Sequence, residues 1–181
     1  ASGVITSENI RFFNAPVPII IHIIGVAIFC LIAPFQFVTS LRIKNKWHKF
    51  MGRILIPMGI LSSITGLWMN QFNDLPPHDG LILYIERLVF GFLMLISLVL
   101  GYVAIMKRDF INHKSWMLRA YAIGLGAGTQ VLTNMPWMLL VGEPNVSIRA
   151  FLMGAGWVIN LAIAEYNSQT NFITYKIVSQ N

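Results

Sequence analysis

Hydrophobic residues fill five long runs of the chain, and short polar segments separate them. A helix needs about 20 mostly apolar residues to cross the hydrocarbon core of a bilayer. Each run is long enough, so the pattern predicts five transmembrane helices. We place them at residues 17–41, 51–72, 81–106, 116–141 and 146–166. The sequence therefore predicts an all-α integral membrane bundle, with residues 1–181 forming a single transmembrane domain.

The distribution of basic residues predicts the orientation of the bundle. Loops rich in Lys and Arg stay on the cytoplasmic side of a membrane. The first and third connections are basic, and with the helix starts that follow they contain Arg42, Lys44, Lys46, Lys49, Arg53, Lys107, Arg108, Lys114 and Arg119. The second connection (73–79) and the fourth, which holds Glu143, contain no Lys or Arg. We therefore expect an outer N-terminus and a cytoplasmic C-terminus, in a bacterial inner (plasma) membrane.

A weak internal repeat links two parts of the chain. Residues 48–53 read His-Lys-Phe-Met-Gly-Arg, and residues 113–119 read His-Lys-Ser-Trp-Met-Leu-Arg. Each segment begins a predicted helix on the cytoplasmic side. The repeat predicts two similar helical hairpins followed by a final helix. The shared need for basic residues at cytoplasmic helix ends is an alternative explanation.

Composition narrows the class of protein further. Hydrophobic residues make up 56% of the chain and charged residues only 11%, against about a quarter in soluble domains. The net charge of +6 lies at helix ends and no nucleic-acid motif accompanies it, so we expect no nucleic-acid partner. Cys30 is the only cysteine and cannot form an internal disulfide. Glycine-rich phosphate loops, HExxH and GxSxG are missing, so nothing indicates a hydrolase or an ATP-driven pump, and whether the protein is an enzyme stays open.

Polar residues within the predicted spans are expected to have a structural or functional role, because burying a polar group in hydrocarbon costs free energy. They are His22, Gln36, Glu86, Gln130, Asn134, Asn160 and Glu165. Hydrogen bonds between helices explain each of them taken alone. In the fourth helix, Gly124 and Gly128 have the spacing that lets helix backbones approach closely, so we predict that both face another helix.

The histidines point to a cofactor site near the cytoplasmic side. His48 and His113 both begin a helix there, where the helix N-terminus favours the neutral imidazole that binds iron. Arg53 and Arg119 follow in the same helices and could pair with haem propionates or a quinone headgroup. We therefore predict haem b or quinone there, with His48 and His113 as iron ligands and His22 toward the outer side. Binding of lipid phosphates by the same basic residues is the alternative.

Seven segments of the chain form a pattern in which both order and spacing are distinctive: His22–Gly25, Pro34–Phe37, Leu41–Arg42, His48–Arg53, Gly66–Leu67, Arg87–Phe92 and His113–Ala122. This pattern resembles a family of bacterial multi-pass membrane proteins grouped as domain of unknown function 2306. The resemblance covers about positions 20 to 130. It implies that His22, His48, Gly52, Arg53, His113, Trp116, Met117 and Arg119 belong to the family pattern, and it implies no established activity. Members tend to carry an arginine late in the fourth helix, where this chain reads Thr129-Gln130-Val131.

Two hypotheses about function follow. The first is a small electron-transport component of the membrane that binds haem b or quinone through His48, His113, Arg53 and Arg119. The second is a non-catalytic accessory subunit that packs against other subunits of a larger respiratory or photosynthetic complex in the lipid bilayer. Transport of protons or small solutes along His22, Gln36 and Gln130 is a third and weaker interpretation.

Overall fold

The computed structural model describes residues 10–38, 46–74, 76 and 78–178, without the side chains of residues 11, 12 and 171–178. The helices are α1 (Ile10–Asn14), α2 (Pro16–Gln36), α3 (Lys46–Phe72), α4 (Leu81–Met106), α5 (Phe110–Gly124), α6 (Gly126–Leu140) and α7 (Val146–Val178). This part of the chain contains no strand, which confirms the prediction of an all-α fold.

Four helices are long and apolar enough to cross a membrane: α2, α3, α4 and α7, the last over Val146–Thr170. Their outward surfaces and that of α6 carry large apolar side chains, such as Leu31 (71% exposed) and Leu139 (78% exposed). Water would strongly disfavour so much exposed apolar surface, whereas lipid tails accept it. The surface of the bundle is therefore suited to a bilayer.

The fourth predicted span differs from expectation, because the chain forms two helices of 15 residues each, α5 and α6, instead of one. Leu125 separates them with φ −72° and ψ −10°, and its N–H still donates to the carbonyl of Tyr121 at 2.9 Å. Glycines at positions 124, 126 and 128 surround the break. Each glycine weakens a helix because it loses the most backbone freedom on folding, so three of them explain where the helix is interrupted.

Consecutive helices form the most extensively packed pairs: α2 with α3, α4 with α5, and α6 with α7. The first two pairs correspond to the two predicted hairpins. Helix α3 also packs on α4, and α7 packs on α5 and, less extensively, on α4. A core cluster of Phe29, Ala33, Leu55, Met94, Leu98, Ala120 and Ile123 lies where α2 to α5 meet.

The prediction that Gly124 and Gly128 both face another helix is half right. A side chain at Gly124 would lie 3.2 Å from the ring of Phe29 on α2, so close packing there is confirmed. The prediction was wrong for Gly128, which is exposed and contacts nothing beyond Leu125 of its own turn. Its spacing from Gly124 assumed a continuous helix, and the break at Leu125 intervenes.

The tight contact between α6 and α7 predicts a difference between two glycine substitutions. A methyl group at Gly156 would lie 3.0 Å from the backbone nitrogen of Gln130, and that backbone cannot rotate away. We expect Gly156→Ala to lower the free energy of unfolding by about 1–2 kcal/mol. Gly128→Ala is the matched control, since its site is open, and it should leave stability unchanged or raise it. Thermal unfolding in detergent measures both, and equal losses would contradict the packing.

Candidate functional site

A cavity of about 370 Å³ lies inside the bundle, toward the end where α3 finishes and α4 begins, which we call the α3–α4 end. Small-molecule sites usually have volumes of about 300–1,000 Å³. Most of the wall is apolar and includes Leu67, Phe90, Met94 and Trp157. Polar side chains also line it: His22, Ser62, Ser63, Asn70, Asn73, Asp74, Arg87 and Gln130. The cavity therefore combines an apolar body with a few polar groups.

The ring of His22 is fixed against α3 by a bond across the α2–α3 pair. Its Nδ1 lies 2.8 Å from the carbonyl oxygen of Ser62. A carbonyl oxygen only accepts, so Nδ1 carries the proton and the neutral ring has its lone pair on Nε2. Gly66 makes room for the ring, because a side chain there would lie 3.0 Å from Cε1 of His22. His22 can therefore offer Nε2 to a ligand as a hydrogen-bond acceptor.

Asn70, which also lines the cavity, carries a second acceptor. It is buried, and its Nδ2 donates to the carbonyl oxygen of Tyr84 at 3.1 Å. That bond fixes the amide orientation, since a carbonyl oxygen cannot donate. The other amide atom, Oδ1, is buried and has no hydrogen-bond partner among the described residues. An unsatisfied buried acceptor costs about 1–3 kcal/mol, so a ligand that donates to it gains binding free energy.

An ion cluster closes the α3–α4 end beside the cavity. Asp79 precedes α4, and its carboxylate accepts from Arg87 of α4 at 2.7 Å and from Arg149 of α7 at 2.8 Å. Burial of Asp79 opposes its ionisation. The hydrogen bonds and charges of the two guanidinium groups outweigh that burial and hold the pKa of Asp79 below its ordinary value. Arg87 also lines the cavity, so Asp79 sets the position of a cavity side chain.

Hydrogen bonds between α6 and α7 account for Gln130, one of the two polar residues singled out in the fourth predicted span. Gln130 donates to the carbonyl of Met153 at 3.1 Å, and Thr133 donates to that of Leu152 at 2.7 Å. The bonds of Gln130 and Thr133 fit the expectation that polar residues in the spans join helices. Asn134 differs, because it donates to the carbonyl of Gln130 within α6. The bonds between the two helices also hold α6 against α7 where Gln130 and Met153 line the cavity.

The predicted cofactor residues other than His22 lie toward the opposite end of the bundle. His113 is held by a 2.8 Å bond between its Nδ1 and the carbonyl of Gly101 on α4. Arg119 makes a two-pronged ion pair with Glu165 of α7, and its guanidinium lies 4.5 Å from the ring centre of Trp116. Arg53 is exposed, and His48 is half-buried near the start of α3.

The structure brings only some of these residues together. Arg119 joins α5 to α7 and His113 joins α5 to α4, whereas α3, which carries His48 and Arg53, packs chiefly on α2 and α4. The two histidines therefore lie on helices that do not pack extensively on each other. Within the described residues, no three His, Cys, Asp or Glu side chains form a metal-binding group. A haem or quinone at this end stays a prediction. Arg42 and Lys44, used for the orientation, lie outside the described residues.

Sequence reasoning missed Asn70, Asp79 and Arg149. Asn70 lies near the end of its apolar run, where a polar residue is unremarkable, so no pattern singled it out. Asp79 follows Pro76-Pro77-His78 and looked like an exposed loop residue. Its burial depends on Arg149, which lies 70 positions further along the chain. Sequence spacing alone does not bring those two residues together.

Long apolar helices around a mostly apolar cavity with a few polar groups define an integral membrane protein of the helical-bundle class. The chain belongs to the family described as predicted membrane protein (DUF2306), whose profile matches residues 19–167. The match confirms the resemblance seen in the sequence. No curated protein and no solved structure matches the chain.

Proposed function

We propose that the protein spans the membrane five times and binds a quinol, a lipophilic dihydroxybenzene, in the cavity at the α3–α4 end. The observation that carries the proposal is the buried, unpartnered Oδ1 of Asn70, together with the acceptor Nε2 of His22. Membrane embedding follows from the family and the four candidate spans. The fifth span and the quinol are inferences from geometry and chemistry.

The fifth span consists of α5 and α6 together. Leu125 keeps a helical conformation between them, and the N–H of Thr129 donates to the carbonyl of Leu125 at 3.2 Å. Residues 110–140 rise by roughly 45 Å at 1.5 Å per residue, which is more than the hydrocarbon thickness. Helix α5 packs along α4, and α6 packs along α7. Both observations support one crossing with a break in its middle.

The orientation makes a prediction of its own. In a Cys30→Ser variant, which keeps a donor near the carbonyl of Gly124, single cysteines at positions 74 and 143 should react with an impermeant maleimide in intact cells. Cysteines at 44 and 107 should react only after permeabilisation, because basic connections stay in the cytoplasm. Reaction at 107 in intact cells would contradict the orientation. With the predicted orientation, the cavity lies in the outer half of the membrane.

The cavity offers two acceptors, and a quinol has two hydroxyl donors. On α3, Gly66 packs against His22, and Asn70 lies about one helical turn further along the helix. The hydroxyls of a para-quinol lie at opposite ends of its ring and both donate. The apolar wall suits the ring and the start of its hydrocarbon tail. Ile23 lines the cavity and is largely exposed, which supports entry from the lipid.

The quinol proposal leaves two earlier hypotheses open: a cofactor site at His48 and His113, and a role as an accessory subunit. A haem there would need two imidazoles facing one space, and His48 and His113 lie on helices that do not pack extensively on each other. A quinol needs only acceptors and an apolar slot, and the α3–α4 end provides both. Because quinols carry electrons and protons, the proposal keeps a role in electron transport. The accessory-subunit hypothesis also stays a prediction.

Ligand-dependent thermal stabilisation tests the proposal. A reduced benzoquinol with a decyl tail should raise the melting temperature of the purified protein, since a ligand that binds only the folded state stabilises it. Val26→Phe, which fills the cavity from α2, should weaken binding by at least about tenfold, equivalent to about 1.4 kcal/mol. Leu31→Phe is the matched control, because Leu31 lies on the same helix with its side chain on the lipid-facing surface.

Two comparisons keep this test decisive. Decanol, which has the tail without the ring, should stabilise the protein less than the quinol does. Asn70→Leu removes the unpartnered acceptor and should weaken quinol binding while leaving decanol binding unchanged. If the quinol stabilises Val26→Phe as strongly as the native chain, the ligand binds elsewhere and the proposal fails.

A further inference from the structure

Glu86 is a half-buried acidic side chain at the contact between α4 and α7, and the proposed ligand site does not use it. It lies in the second turn of α4, and its carboxyl group packs against Gly154 of α7. A side chain at Gly154 would lie 2.6 Å from Oε1 of Glu86, so the glycine provides the space that the carboxyl group occupies. The sequence thus accommodates an acid at the α4–α7 contact.

No ion pair joins the carboxyl group to another described residue, and Arg87, the next residue in the chain, is a positive charge that acts on it from nearby. The Oε2 atom of Glu86 is buried and lacks a hydrogen-bond partner within the described part of the chain. The charged groups at this end of the α4–α7 contact are Arg87, Asp79 and Arg149, and they are bonded to one another. Glu86 takes part in none of the ion pairs between described residues. A charged carboxylate in such a place is costly, whereas a neutral acid is tolerated.

Glu86 is also close to the cavity wall. Phe90 lies one turn further along the same face of α4, and its ring stacks on Trp157 of α7 with centroids 4.7 Å apart. Both rings line the cavity. Gly154, which accommodates the carboxyl group, directly follows Met153, another lining residue. The acid therefore lies about one helical turn from the cavity, on the side of the ion cluster.

We propose that Glu86 is a proton-binding site within the membrane, with a carboxyl group that is neutral at pH 7 and exchanges its proton from the α3–α4 end. This inference concerns a different side chain from the quinol contacts and does not require the quinol to bind. A neutral carboxylic acid in an apolar setting reacts with lipophilic carbodiimides: the acid proton moves to the carbodiimide nitrogen and the carboxylate oxygen adds to its central carbon. An ionised carboxylate does not begin this reaction.

Carbodiimide modification of the full-length protein in lipid vesicles tests the proposal. Treatment with dicyclohexylcarbodiimide at pH 7, followed by peptide mass spectrometry, should show modification at Glu86. Glu86→Gln should remove that modification, and raising the pH should slow it in the native protein. Glu165 is the internal control, because its ion pair with Arg119 keeps it charged. Modification of Glu165 and not of Glu86 would overturn the proposal.

A second measurement does not depend on access of the reagent. Infrared difference spectra between the native protein and Glu86→Gln at pH 7 should contain the carbonyl stretch of a protonated carboxylic acid. If the spectrum contains the bands of an ionised carboxylate instead, Glu86 is charged and the inference is wrong. Quinol-induced stabilisation of Glu86→Gln, measured in parallel, keeps the two proposals separate, since the variant leaves His22 and Asn70 in place.

Discussion

Asp79→Asn should destabilise the protein more than any other single substitution considered for this chain. The variant keeps the size of the side chain but leaves Arg87 and Arg149 beside each other without a counter-charge. Removal of one partner of a buried ion pair costs about 3–5 kcal/mol. We expect about 3 kcal/mol, the lower end of that range, because the two arginine side chains are 26% and 34% exposed while Asp79 is 2% exposed.

The pH dependence of stability provides the sharper readout. Because the pKa of Asp79 is lower in the folded protein, its stabilisation is fully present above the unfolded pKa of about 4 and is lost as the pH falls further through the folded pKa. The native protein should lose stability in that acidic window, and Asp79→Asn should lose less there. Chemical unfolding in detergent across this pH range measures the difference.

Asp109→Asn is the matched control for Asp79→Asn. Asp109 is a partly exposed acid whose carboxylate caps α5 by accepting from the backbone of Asn112. Asparagine caps helices about as well as aspartate does, so this variant should unfold much like the native chain. Equal destabilisation by the two variants would show that the Asp79 cluster does not hold the α3–α4 end together.

The second large effect is expected at the ion pair between α5 and α7. Glu165→Leu leaves Arg119 within the bundle without its partner, and an uncompensated arginine at the centre of a bilayer costs about 2.5–3.5 kcal/mol. We expect about 2 kcal/mol, since Glu165 is 41% exposed and the predicted orientation places it toward the cytoplasmic surface. Arg119→Leu should lower the free energy of unfolding by a similar amount, because it leaves Glu165 without its partner.

The double variant Arg119→Leu/Glu165→Leu distinguishes the interaction between the two residues from the contribution of each residue alone. Replacing both partners of an ion pair by apolar residues is often neutral, so the double variant should recover most of the stability that each single variant loses. Unfolding of all four proteins gives the coupling free energy between the two residues. If the losses simply add, the two side chains do not stabilise each other.

Much of the fold was predictable because each helix that crosses a bilayer needs a run of about 20 mostly apolar residues. The third predicted span coincides with α4 at both ends, and the second and fifth predicted spans lie within α3 and α7. The break at Leu125 was not predicted, because an apolar run gives no sign of interruption when its glycines also suit helix packing. The structure adds a packing role for one of these glycines, because the ring of Trp157 occupies the space that a side chain at Gly126 would need.

The candidate site was predictable only in part. His22 stood out because a histidine among isoleucines is costly unless it has a partner, and the carbonyl of Ser62 is that partner. The acceptor on Asn70 could not be predicted, since its significance depends on Tyr84 taking one amide atom and leaving the other. The site at His48 and His113 stays a prediction, because it rests on the repeated sequence and on equal depth, and neither property determines which helices pack together.

The position of a bound quinol tests the central proposal most directly. A decyl benzoquinol with a photoreactive azide on its ring, kept reduced and illuminated with the protein in lipid vesicles, should attach to peptides that contain Leu67, Met153 or Trp157, which line the cavity. An excess of unlabelled quinol should prevent that attachment, and Val26→Phe should reduce it. Attachment concentrated near His48, Arg53 and His113, or spread evenly over the lipid-facing surface, would contradict a quinol site at the α3–α4 end.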